Sequence, residues 1–176
     1  IAVVTQTGMT GAVMQMVSHG IMTALFFAAI GMIYERTHTR MADELGGVFT
    51  QMPFIGTSFI IAGVCSLGLP GFSGFVSEMT VFVGSWERAG LFYKVATILA
   101  ASSIVVTAVY ILRAVGTAIW GTIKNAEFKQ LTDATWNERF AVILLVAGIV
   151  FIGTMPFWLT NLIGPDVQEI AKRLVL

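Results

Sequence analysis

Charged residues are scarce in this 176-residue sequence. Only 11% of its residues are Asp, Glu, Lys or Arg, and ten basic residues balance ten acidic ones. A typical soluble domain contains about 25% charged residues. The even balance excludes the basic surface with which proteins bind nucleic acids. Because hydrophobic residues make up 56% of the chain and its mean hydropathy is +0.84, the composition predicts a membrane protein.

The sequence also contains few residues or motifs that indicate a disulfide, a metal site or catalysis. The single cysteine, Cys65, excludes an internal disulfide. No Cys, Asp or second His stands at metal-ligand spacing from His19, and His38 lies in a polar stretch, so we expect no metal site. The sequence contains no phosphate-binding glycine loop, nucleophile–base pair or dinucleotide fingerprint. We therefore expect no cofactor and no covalent chemistry in this chain.

The beginning of the sequence is unlike a true N-terminus. It has no initiator Met, and it lacks the basic region and cleavage site of a signal peptide. We therefore expect further helices upstream in the intact protein.

Four apolar segments are long enough to cross a membrane, for which about 20 residues are needed. We predict spanning helices over about residues 11–33, 54–85, 95–121 and 140–163. The tryptophans fall near the predicted span ends, as expected of side chains at the membrane interface: Trp86, Trp120, Trp136 and Trp158. The fold class is therefore all-α, a single polytopic membrane domain over residues 1–176.

A fifth helix is predicted over about residues 165–175. Pro165 and Asp166 are typical of a helix start. One face of this helix would carry Val167, Ile170, Ala171 and Leu174. This pattern predicts an amphipathic helix that lies on the membrane surface.

The second span is too long to be one straight helix. Residues 53–86 would extend about 51 Å at the α-helical rise, whereas the hydrocarbon core is about 30 Å thick. Leu69, Pro70, Gly71 and Gly74 lie in its middle, where proline removes a backbone donor and glycine loosens the chain. We predict a break at Leu69–Phe75. Non-helical backbone at this depth requires surrounding protein or a water-filled cavity.

Glu78 is the only acidic residue well inside a span, and we expect it in the first turn of the second half-helix. Burial disfavours its charged form, whereas a helix N-terminus favours it. Such opposing effects are typical of a group that takes up and releases protons. The alternative is that Glu78 only caps the half-helix. An isolated acid at the membrane centre costs about 2.5 kcal/mol or more, which favours the functional interpretation.

Two further residues are candidates for a proton path. His19 lies centrally in the first span, and its imidazole is the side chain that titrates closest to neutral pH. It either relays protons or forms a structural hydrogen bond to Ser18 or to a neighbouring helix. Arg113, in the later half of the third span, either extends to the membrane interface or lines the proton path.

Several strings, in order along about residues 11–121, carry a family resemblance: Met16-Val17-Ser18-His19-Gly20, Tyr34-Glu35-Arg36-Thr37-His38-Thr39-Arg40, Leu45-Gly46-Gly47, Ser66-Leu67-Gly68-Leu69-Pro70-Gly71, Gly74-Phe75-Val76-Ser77-Glu78 and Gly84-Ser85-Trp86. They resemble the M chains of respiratory complex I, the bacterial counterparts of mitochondrial NADH dehydrogenase subunit 4. The family fold has fourteen membrane helices, and this chain looks like the last four, with the broken span as the twelfth.

The resemblance implies a non-redox, antiporter-like subunit that translocates protons in response to NADH:quinone oxidoreduction in other subunits. Flavin, iron–sulfur clusters, NADH and quinone would then be bound by partner subunits. Other membrane subunits of complex I, including neighbouring antiporter-like subunits, and membrane lipid would surround the chain in a bacterial inner membrane. Glu78 matches the ionisable residue of the family's twelfth helix and His19 the histidine of its eleventh. In contrast, Arg113 comes about one turn earlier than the usual basic residue, whose place Thr117 takes.

Two other functions are compatible with parts of the pattern. A subunit of a multisubunit cation/proton antiporter would share the fold and the broken helices, but the string Tyr34–Arg40 favours complex I. A passive scaffold that only holds partner subunits is the other alternative. The cost of placing Glu78 and His19 inside membrane spans argues against a scaffold.

Overall fold

The computed structural model describes residues 4–175, and within that range the chain is helical and contains no β-strand. Its α-helices are α1 (Gln6–Thr37), α2 (Val48–Gln51), α3 (Pro53–Ser66), α4 (Ser73–Glu87), α5 (Leu91–Ala114), α6 (Trp136–Thr154) and α7 (Pro156–Val175). A π-helical segment, Val115–Ile119, extends α5, and a 3-10 helix, Ala126–Gln130, lies in the loop before α6.

In the described part of the chain, three continuous helical segments are long and apolar enough to cross a membrane: α1, Leu91–Ile119 and α6. The shorter apolar helix α3 and the helix α4 together form the remaining span, which is broken between them. The predicted all-α fold with four membrane spans, the second of them broken, is therefore confirmed. The break comprises residues 67–72, so α3 ends earlier and α4 begins earlier than the sequence predicted.

The first span is longer than predicted because both of its ends are capped. The Thr5 hydroxyl accepts a hydrogen bond from the Gly8 backbone N–H at 3.0 Å, which extends α1 to Gln6. At the other end, His38 adopts the left-handed conformation and donates its N–H to the Tyr34 carbonyl. The helix therefore covers 32 residues, about 48 Å at the α-helical rise.

The C-terminal region differs from the prediction. The expected start of the surface helix at Pro165 is wrong, because α7 begins at Pro156 and contains Pro165. The chain bends at Met155 (φ −126°, ψ 57°), since Pro156 has no N–H to continue α6. The segment predicted over residues 140–163 is thus kinked, and its last part belongs to α7. Of the predicted apolar face, Val167 is buried, whereas Ile170 is exposed.

The core is built around α1, which contacts α3, α4, α6 and α7. Small residues allow backbones to approach closely, as is usual between membrane helices. A Cβ placed on Gly11 of α1 would lie 2.7 Å from the Val81 backbone nitrogen of α4. In contrast, α5 contacts mainly α4, and only Thr97 on it is buried.

Polar side chains connect the loop between α5 and α6 with α1 and α3, and they also connect α1 with α6. Arg36, near the end of α1, forms a bidentate ion pair with Glu138 of α6, with N···O distances of 2.8 and 3.1 Å. Its Nε also donates to the Thr132 carbonyl at 2.8 Å. Asp133 accepts hydrogen bonds from the backbone N–H groups of Phe54 and Ile55, so it caps the start of α3. This end of the bundle is therefore fixed by charge-assisted hydrogen bonds.

Candidate functional site

The break between α3 and α4 is an ordered turn. At the end of α3, the Leu69 N–H donates to the Val64 carbonyl and the Gly68 N–H to the Cys65 carbonyl, which is the Schellman pattern. Gly68 occupies the left-handed position of this cap with φ +66°. The break itself was predicted from the sequence, although its bounds differ, and the first half of the break is a regular helix cap.

A tight turn completes the break. The Phe72 N–H donates to the Leu69 carbonyl at 3.2 Å, with Pro70 and Gly71 as the two central residues. Proline followed by a glycine with φ +97° is the arrangement of a type II turn. Gly71 is required here because an L side chain rarely adopts this φ value.

The two half-helices touch directly across the break. A Cβ placed on Gly74 would lie 2.5 Å from the carbonyl oxygen of Cys65, so only glycine permits this approach. The Ser73 hydroxyl, fully buried, forms a 2.7 Å hydrogen bond with the Ser18 hydroxyl of α1. The buried Ser77 hydroxyl donates to the Gln15 side chain. These contacts anchor the start of α4 to the middle of α1.

Glu78 lies in the second turn of α4, so its predicted place in the first turn is wrong. The helix begins at Ser73, earlier than expected, because the tight turn ends at Phe72 and the helix follows it directly. Side chains on a helix tilt toward its N-terminus, and the Glu78 carboxylate accordingly reaches back to the break. A Cβ placed on Gly68 would lie 2.7 Å from Glu78 Oε2. Gly68 therefore leaves the space that the carboxylate occupies.

The Glu78 side chain is half-buried and lines a cavity of about 260 Å³ between the break, α4 and α5. The other lining residues are Ser66, Leu67, Phe82, Ala100, Ser103, Ile104 and Thr107. A site for one water needs only about 10–15 Å³ of such space, so the cavity has room for several. The carboxylate thus meets space for water at a membrane-helix break, where it can exchange protons with water.

His19 and Arg113 are not brought together with Glu78. His19 is exposed on α1, and the neighbouring Ser18 hydroxyl bonds to Ser73 instead. Arg113 is exposed in the last turn of α5, about 9 Å along the helix axis from Thr107 at 1.5 Å per residue. Neither is among the described residues that line the Glu78 cavity. Their roles in a proton path stay predictions.

The sequence did not identify Gly68, Ser73 or the α5 residues of the cavity as parts of the site. Gly68 stands one residue before Leu69, so a Schellman cap could have been predicted from a glycine directly after an apolar helix. Ser73 gave no comparable signal because its partner lies 55 residues away. Within residues 4–175, no group of three or more His, Cys, Asp or Glu side chains could hold a metal ion.

These features define the class: a polytopic membrane protein in which an acidic side chain lies at the break of a discontinuous helix. The chain belongs to the family described as NADH:quinone oxidoreductase/Mrp antiporter, TM, whose model matches residues 1–92. The matched residues include α1, the break and Glu78.

Named relatives come from several bacteria. NAD(P)H-quinone oxidoreductase chain 4 1 of Trichormus variabilis is 39% identical over 176 residues, which cover 97% of this chain and 33% of the relative. NADH-quinone oxidoreductase subunit M of Rickettsia felis is 36% identical over 169 residues, which cover 96% of this chain and 34% of the relative. The chain therefore spans about one third of the length of these relatives.

Solved structures share the architecture. A chain of respiratory complex I from Thermus thermophilus with bound NADH matches with a TM-score of 0.86 and 25% identity, over 97% of this chain and 35% of that one. A chain of the Mrp complex from Dietzia sp. DQ12-45-1b matches with a TM-score of 0.82 over 97% of this chain and 39% of that one. Because the two sequences are only 16% identical, this match shows only that the fold is shared.

Proposed function

We propose that this chain is part of a non-redox membrane subunit of NADH:quinone oxidoreductase and that it carries protons through the membrane. The observation that carries the proposal is the position of the Glu78 carboxylate, beside Gly68 at the helix break and on a cavity large enough for water. Half-helices that end near the membrane centre are where many transporters place their ion sites. In this mechanism Glu78 takes up a proton and releases it toward one side of the membrane.

The redox chemistry is assigned to other subunits. Flavin, iron–sulfur clusters, NADH and quinone would be bound there, and their reactions would drive the protonation of Glu78. The relative from Rickettsia felis is named as one subunit, M, of an NADH-quinone oxidoreductase, and such a complex contains further subunits that could bind these cofactors. The names of the cyanobacterial and rickettsial relatives support other membrane subunits of complex I as partners and a bacterial inner membrane as the location.

We further propose that His19, on the exposed side of α1, relays protons. It is one residue from Ser18, which is hydrogen-bonded to the first residue of α4. The helix therefore presents an imidazole close to the level of the break, although on another face. Arg113 is the third member of the proposed path.

The test separates the charge of Glu78 from its position. Glu78→Gln keeps the shape of the side chain but cannot titrate near neutral pH, whereas Glu78→Asp keeps the acid with one methylene less. We expect the Glu78→Gln variant to lose most of the NADH-driven proton uptake and the Glu78→Asp variant to retain a sizeable part of it. The measurement is NADH-driven proton uptake into vesicles, normalised to the amount of assembled complex.

Proton uptake at the wild-type rate in the Glu78→Gln variant would remove Glu78 from the mechanism and favour a scaffold. The second candidate function, a subunit of a multisubunit cation/proton antiporter, is supported by the family description, which includes Mrp antiporters. Mass analysis of the co-purified subunits distinguishes the two. Flavin and iron–sulfur proteins indicate complex I, and only small membrane partners indicate the antiporter.

A further inference from the structure

Two hydroxyl groups on α5 face the Glu78 cavity. Ser103 and Thr107 are four residues apart and therefore lie one above the other on the same face of the helix. Ser66, at the end of α3, contributes a third hydroxyl from the opposite wall. Leu67, Phe82 and the other α5 side chains of the lining are apolar. The polar side chains of this cavity are thus one carboxylate and three hydroxyls.

The protons of these hydroxyls are already engaged by backbone carbonyls. Ser103 Oγ donates to the Ala100 carbonyl at 2.6 Å, and Ser66 Oγ donates to the Gly63 carbonyl at 2.8 Å. Thr107 Oγ1 donates to the Ser103 carbonyl at 3.3 Å. A hydroxyl has one donor and two acceptor sites. Each therefore presents its lone pairs, not its proton, to a molecule in the cavity.

From this arrangement we propose that Ser103 and Thr107 are positioning residues that hold a hydrated proton beside Glu78. The inference rests on the proposed function of Glu78. A hydronium ion donates three hydrogen bonds and therefore needs three acceptors around it. The cavity offers acceptors from α3, α4 and α5 and space for several waters.

The proton balance of the step is simple. Protonated Glu78 gives its proton to a cavity water, which becomes hydronium, and the carboxylate is left as the acceptor of the next proton. Ser103 and Thr107 accept hydrogen bonds from this water and neither gain nor lose a proton. They lower the free energy of the transferred charge and orient the water that carries it.

The same set of oxygen atoms could also coordinate Na⁺, which prefers carboxylate and hydroxyl ligands as hydronium does. The experiment must therefore distinguish the two cations. Proton uptake driven by NADH is measured in Na⁺-free medium and again with added NaCl. Uptake at full rate without Na⁺ supports a hydrated proton, and uptake that requires Na⁺ overturns the proposal.

The helix supplies a matched control for the hydroxyls. Ser102 is adjacent to Ser103 and donates to the Leu99 carbonyl at 2.7 Å in the same manner, but it is not among the residues that line the cavity. In the assembled complex we expect Ser103→Ala combined with Thr107→Val to lower the rate of proton uptake about five- to hundredfold, the factor of two lost hydrogen bonds. We expect Ser102→Ala to leave the rate unchanged.

Conservative variants separate a chemical role from a structural one. Ser103→Thr and Thr107→Ser keep the hydroxyls and should restore most of the rate. If the double variant does not assemble, the single substitutions Ser103→Ala and Thr107→Val are compared with Ser102→Ala in the same way.

The outcomes distinguish this inference from the function on which it rests. Proton uptake at the wild-type rate in the Glu78→Gln variant would overturn both the role of the hydroxyls and the proposed function of Glu78. Loss of uptake in Glu78→Gln together with normal uptake in the Ser103→Ala, Thr107→Val variant overturns only the role of the hydroxyls. An equal loss in Ser102→Ala would also overturn it, because the effect would then concern α5 as a whole.

Discussion

Gly153 of α6 packs directly on the break, and its substitution is the sharpest test of whether the shape of the break matters. A Cβ placed on Gly153 would lie 2.5 Å from the carbonyl carbon of Phe72 and 2.7 Å from that of Gly71. Ordinary contacts of a Cβ begin at 3.4 Å. Gly153→Ala therefore forces the turn and α6 apart by about 1 Å, against an overpacking cost of about 1–3 kcal/mol.

Gly148 of the same helix provides the control. A Cβ there would meet only the Ile21 side chain, at 3.8 and 3.9 Å. Both substitutions gain helix propensity, about 1 kcal/mol relative to glycine. We therefore expect Gly148→Ala to assemble at least as well as the wild type. For Gly153→Ala the overpacking outweighs this gain.

The functional effect should exceed the effect on assembly. A displacement of about 1 Å near a reacting group can lower a rate about 10²-fold. We expect Gly153→Ala to lower NADH-driven proton uptake per assembled complex by about tenfold to 10²-fold. Uptake by Gly153→Ala equal to that of Gly148→Ala would show that the exact place of the turn is unimportant for Glu78.

Two further substitutions test the break and the relay. Pro70→Ala combined with Gly71→Ala removes the type II turn; membrane insertion should persist, proton pumping should fall, and normal pumping would refute a role for the break. His19→Ala should lower the pumping rate more than the amount of assembled complex, as quantified by native electrophoresis. Equal losses of the two would identify His19 as structural.

Local chemistry made the break predictable. Pro70 removes a donor within its own turn and Gly71 supplies the positive φ, so the sequence contains the cause of the discontinuity. The kink between α6 and α7 had a similar signal in Pro156, which the length of the apolar run obscured. Pro165 was misleading because its signal for a helix start is only local, and the helix continues through it.

Contacts between distant residues were beyond prediction. The hydrogen bond between Ser73 and Ser18 joins the start of α4 to α1, and no local pattern indicates it. Because α4 starts at Ser73, Glu78 lies in the second turn and not in the expected first. The outward position of His19 likewise follows from which face of α1 packs on α4. The cavity hydroxyls of α5 are not distinguished in the sequence from Ser102, because an apolar helix gives no indication of which side faces a cavity.

The cap that Asp133 provides for α3 also bears on how the protein is made. The Phe54 N–H and the Asp133 carboxylate that accepts its hydrogen bond are 79 residues apart. A ribosome adds about 5–20 residues per second, so the cap arrives about 4–16 s after the first turn of α3 is synthesised. During this interval those N–H groups have no Asp133 to bond with. The first half of the broken span is therefore completed late, when α6 follows it into the membrane.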